Sequence, residues 1–157
     1  IDKIYSYKTE IEIARKSDSI VITLADDVDV SRGDVLISSD DFNANNDLQI
    51  KTSNEIEVTL NWFSEIPLRV GGTYVLKHTT REVKAIVESV LHEVDINSIR
   101  PIVGRANYLI TKNAIARVKI KTSKPLYFDT YSENKVIGSF ILIDEFTHET
   151  SAAGVII

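Results

Sequence analysis

Glu55-Ile56-Glu57-Val58-Thr59-Leu60-Asn61-Trp62 decides the fold class of this chain. Ile56, Val58, Leu60 and Trp62 fall on one side of an extended backbone, and Glu55, Glu57, Thr59 and Asn61 on the other. That period of two describes a strand with one dry face and one wet face. The same alternation and β-branched content predict strands over 10–15, 20–24, 73–79, 81–94, 114–122, 136–143 and 155–157. The run 82–91 is also compatible with a helix. Val83, Ile86, Val87 and Val90, together with the strands around them, favour one long strand bent near Ser89. Gly71-Gly72 supplies a tight, hairpin-like connection between Leu68 and Tyr74, and Pro67, Pro101 and Pro125 fall at the edges of runs, where a missing N–H is tolerated. Many short strands separated by turns imply a sandwich or a barrel, so the fold class is all-β.

The polar stretch Ser38-Ser39-Asp40-Asp41-Phe42-Asn43-Ala44-Asn45-Asn46-Asp47 is rich in turn formers and divides the chain. Residues 53–157 are long enough to close a barrel. Residues 1–41 are short for an independent unit, since chains of about 40 residues usually need staples or partners. The first residue is Ile1 and methionine is absent, so the expectation is a piece of a longer polypeptide.

An apolar share of 43% supports a core, and 26% charged residues argue against extended disorder. With 18 basic and 23 acidic residues the net charge is −5, and no overall positive field collects phosphate backbones. Arg117, Lys119 and Lys121 alternate along one strand and share one side of it, which is either a local basic face or an ordinary solvated one. Cysteine is absent, excluding disulfides, thiolate metal sites and a cysteine nucleophile. No apolar run approaches the roughly 20 residues of a membrane span, and no signal-peptide pattern opens the chain, so a soluble cytoplasmic protein with no membrane contact is expected.

Chemistry-bearing motifs are missing. There is no Gly-x-x-x-x-Gly-Lys-Ser/Thr phosphate loop, no Gly-x-Ser-x-Gly elbow and no calcium-loop pattern. His78, His92 and His148 are widely spaced. His92 and Asp95 would point to opposite faces of a strand, and His78 and His92 could meet only across paired strands, so hydrogen-bonded or surface imidazoles are expected. Asp26-Asp27, Asp29 and Asp40-Asp41 read as solvated turn residues. Trp62-Phe63 combines an inward aromatic with one directed outward or towards Pro67, either an interface anchor or rim packing.

Two segments resemble a known family. Asp29-Val30-Ser31-Arg32-Gly33-Asp34-Val35-Leu36 is similar to the close of the second domain in translation-type GTPases, where an Arg-Gly pair precedes the last strand. Its Ser-Arg-Gly-Asp wording resembles the GTPase subunits of bacterial sulfate adenylyltransferase, also called ATP sulfurylase subunit 1. The remainder agrees in order: Trp62, Pro67-Leu68, Tyr74, Leu76-Lys77, Thr80-Arg81, Asp95-Ile96-Asn97, Asn113 to Val118, Pro125 to Asn134 and Gly138 to Gly154. Val155 stands where the family often has Met, and Val136-Ile137 where a Thr is common.

The resemblance implies a translation-factor-like antiparallel β-barrel of the elongation-factor domain 3 type over residues 53–157. It implies a linker over 42–52, and over 1–41 the C-terminal part of a second, domain-2-like barrel. For the parent it implies GTP hydrolysis coupled to making adenylylsulfate and pyrophosphate from ATP and sulfate. GTP and Mg are expected in a G domain outside this chain, and no cofactor, metal or catalytic residue within it. The implied partners are the catalytic ATP sulfurylase subunit and the parent's own G domain, with Arg32, Trp62 and Phe63 as candidate partner-binding residues. Arg32 could instead make a local turn contact with Asp29 or Asp34. The alternative reading is an RNA- or tRNA-binding barrel region of a translation elongation factor-like GTPase, resting on shared architecture and the Arg117, Lys119, Lys121 stripe.

Overall fold

In the computed structural model, which describes residues 1–38, 51–102 and 109–157, the alternation around Trp62 extends into a strand of 12 residues. Its partners close on one another. Ten strands are present among the described residues: β1 (Lys3–Ser6), β2 (Thr9–Ile11), β3 (Val21–Thr23), β4 (Lys51–Trp62), β5 (Thr73–His78), β6 (Arg81–Asp95), β7 (Arg100–Ile102), β8 (Ile115–Phe128), β9 (Ser139–Asp144) and β10 (Thr150–Ile156). Two compact units result, residues 1–31 and residues 32–157. The expected division lay at 41/42; residues 39–50, and with them most of the expected linker 42–52, fall outside the described residues.

In the first unit β1 sits between β2 and β3, antiparallel to both. None of its residues is buried. The strand expected over 10–15 stops at Ile11, because the Asp18 carboxylate takes the Arg15 N–H at 2.7 Å while Asp18 N donates back to Arg15 O, folding 15–18 into a turn. Residues 34–38, where the resemblance implies a last strand after Gly33, carry no strand.

In the second unit the order β5-β9-β10-β4-β8-β6 is closed by a β5–β6 ladder, giving a six-stranded antiparallel barrel with β7 paired to β6. Ile56, Val58, Leu60 and Trp62 face the interior beside Leu76, Val87, Val118, Ile120 and Leu142. The long strand β6 forms as one element. Its bend near Ser89 is a register shift between Val87 and Ser89, followed by another between Val90 and His92. On β8 the residues 122–125 stand opposite Asn54 alone, so Pro125 sits in a bulge inside the strand instead of at its edge. Thr122 Oγ1 closes that bulge by donating to Lys124 O at 2.8 Å.

Two expectations change locally. Residues 136–138 form a turn, not strand, because Asn134 Oδ1 accepts from Val136 N and Asn134 O accepts from Gly138 N. Gly71-Gly72 is a turn pinned onto β6 and not a hairpin: Gly72 N donates to Arg69 O, Gly71 N donates to Val87 O, and no strand precedes it over 63–70. Gly71 has φ of +80°, the left-handed conformation that glycine adopts without strain.

Candidate partner-binding surface

Strand register brings several chain boundaries to one end of the barrel. Trp62 at the end of β4 lies opposite Ala152, Asn61 opposite Ile115, Ile115 opposite Val94, and Ile143 opposite Thr150. The segments that leave these positions carry exposed apolar side chains: Phe63, Ile66, Val70, Leu109 and Phe146, the last 85% exposed. A groove of about 500 Å³ runs between Ile66, Val70, Tyr74 and Phe146.

This end is held by hydrogen bonds, each traceable to a residue type. Trp62 is only 1% exposed, packs edge-on against Tyr74 at 5.7 Å, and donates its indole N–H to Ile66 O at 2.8 Å. It therefore serves the core and positions the 63–66 segment; its side chain is not available to a partner. Phe63 N donates to Ser151 O at 2.8 Å, which fixes the backbone beneath a phenyl ring that remains 39% exposed. Asp144 Oδ1 accepts from both Phe146 N and Thr147 N at 2.8 Å, so Phe146 is displayed on a rigid turn. The Thr147 and Phe146 N–H groups hold the Asp144 carboxyl below the usual carboxylate range, while burial pushes the Tyr74 phenol up.

Arg32 is elsewhere. Gly33, with φ of +99°, lies against Arg81 at the start of β6, so Arg32 and Phe63 occupy opposite ends of the barrel. Arg32 is exposed and has no hydrogen-bond or ion-pair partner among the described residues of its unit. Of the expected trio, the structure brings only Trp62 and Phe63 together.

The basic stripe is neutralised. Arg117 pairs with Glu57, and Lys121 pairs with Glu55 at 3.1 Å and approaches Glu88 at 3.9 Å, leaving exposed Lys119 between them. The Glu55 carboxylate raises the Lys121 ammonium pKa further. A surface with alternating signs does not concentrate phosphate groups. The histidines stay apart. His78 is buried with Nε2 2.7 Å from Ile137 O, His92 lies opposite Arg117, and His148 sits in the β9–β10 turn. Among the described residues no three His, Cys, Asp or Glu side chains gather in a metal-binding group. No helix among them is long and apolar enough to cross a membrane.

A second groove, of about 720 Å³, runs along the outer barrel wall past Asn61, Lys77, Tyr131, Val136, Ile141 and Val155. Asn61 Oδ1 is buried there and has no hydrogen-bond partner among the described residues. The sequence reading missed Ile66, Val70 and Phe146. The available signal was a large apolar residue inside a turn, as in Asp144-Glu145-Phe146-Thr147.

A family model described as GTP-eEF1A C-terminal domain-like matches residues 55–157. Sulfate adenylyltransferase subunit 1 of Bacteroides thetaiotaomicron is 34% identical over 163 aligned residues, covering 100% of this chain and 32% of that protein. Proteins of the same name from Bacteroides fragilis and Aliarcobacter butzleri are 36% and 33% identical, with 31% of each covered. The chain thus spans about a third of the length of the curated relatives it matches. Among solved structures, sup35 complexed with GDP matches with a TM-score of 0.80 at 21% identity, covering 99% of this chain and 36% of that one, a likeness of fold.

Proposed function

The chain belongs to the GTP-eEF1A C-terminal domain-like family, and from that premise we propose that it is the C-terminal barrel region of the GTP-hydrolysing subunit of a sulfate adenylyltransferase, serving partner binding and coupling. The parent enzyme makes adenylylsulfate and pyrophosphate from ATP and sulfate in the cytoplasm. Its GTP and Mg are held by a G domain outside this sequence. The observation that carries the reading is the match to proteins named sulfate adenylyltransferase subunit 1 along 100% of the chain.

The physical features suit coupling. A closed barrel resists shear, so it transmits movement as a rigid body from one surface to another. The apolar end around Phe63 and Phe146 is the face for the catalytic subunit. The opposite end, with Arg32, and the outer groove face the parent's own domains. The first unit, in which no residue is buried, is read as the closing part of a domain-2-like barrel whose covering layer is supplied by further chain.

Titrating the complete gene product with the catalytic sulfate adenylyltransferase subunit tests this directly. Association at micromolar concentrations is expected, together with no GTP binding by residues 1–157 alone. Absence of association sinks the proposal. Salt-sensitive RNA binding with a steep slope would instead favour the translation-factor reading, which the paired Arg117 and Lys121 oppose.

A further inference from the structure

We draw no further inference here: the strongest candidate, the groove of about 720 Å³ along the outer barrel wall lined in part by Lys77, Lys135 and Asn61, is a partly apolar surface whose Lys77 is already paired with Glu82, and nothing in the structure shows what covers it.

Discussion

Removing Trp62 tests whether the apolar end of the barrel is built from the inside. Its indole is almost wholly buried, lies edge-on to Tyr74, and donates to Ile66 O. Trp62→Ala discards a ring that buries about 200 Å² and leaves a cavity, at a cost of about 4 kcal/mol. The lost hydrogen bond adds about 1 kcal/mol. Trp62→Phe keeps an aromatic core residue and loses the N–H, so about 2 kcal/mol is expected from the bond and the partial void together. Trp62 is the single tryptophan, so its fluorescence reports this barrel in the unsubstituted protein, and the variants are compared by far-UV circular dichroism in urea. The ordering Ala worse than Phe, with both measurably destabilised, is the expected outcome. A Trp62→Ala protein within about 1 kcal/mol of the unsubstituted one would show that the 63–66 segment is held by other contacts, against the range for large core truncations.

The remaining predictions address backbone contact and pH. A Cβ on Gly138 would lie 2.5 Å from Tyr131 N and Cα and 2.7 Å from Asn134 O, all backbone that cannot turn aside. Gly138→Ala should therefore lose about 2–3 kcal/mol in urea unfolding, whereas Gly71→Ala meets nothing within 4 Å and should lose only the left-handed penalty of about 1 kcal/mol; equal losses would contradict this. The Thr130 hydroxyl and N–H, with Lys51 behind them, hold the Glu133 carboxyl down at about 2 from an ordinary 4.5. Because the folded pKa is depressed, the stabilisation is present above about pH 4.5 and fades as pH falls towards about 2. Plotted as Tm against pH, Glu133→Gln should lie below the unsubstituted protein near neutrality and converge with it across that window; parallel curves would count against the assignment.

What the sequence disclosed is what one strand can disclose by itself. The alternation from Ile56 to Trp62 and the bend at Ser89 are properties of consecutive residues, and both appear at the expected places. Errors arose where a side chain captured backbone donors: Asn134 turned 136–138 out of the strand, and Asp18 did the same after Ile11. β1 and β7, of four and three residues, are too short for periodicity to register. The surface was less legible. Phe63 was visible because Trp62 fixed its phase, but the exposure of Phe146 and Ile99 depends on which other segments come near. For the same reason the sequence did not choose between the two readings of the basic stripe: Glu57 and Glu55 face Lys119 and Lys121 only once β4 is laid beside β8 in register.

That register also limits how this barrel can hold a partner. In the closed circuit each of the six strands is laddered on both sides over part of its length, Val58 to Asn61 of β4 between β10 and β8 for example, and backbone committed in this way cannot template an added strand. Among the described residues β7, three residues long with Pro101 at its centre, is an edge strand, where a missing N–H hinders extension of the sheet. Along the outer wall, Glu55 and Glu57 on β4 set against Arg117 and Lys121 on β8 offset one another, so this face carries little net basic charge. Under the proposed partner-binding role, recognition by this unit would rest on short-range side-chain contacts. Phe63 and Phe146 offer exposed apolar side chains at one end, on backbone pinned by Ser151 and Asp144. Because those pins tie both rings to the barrel, the rings move as the barrel moves.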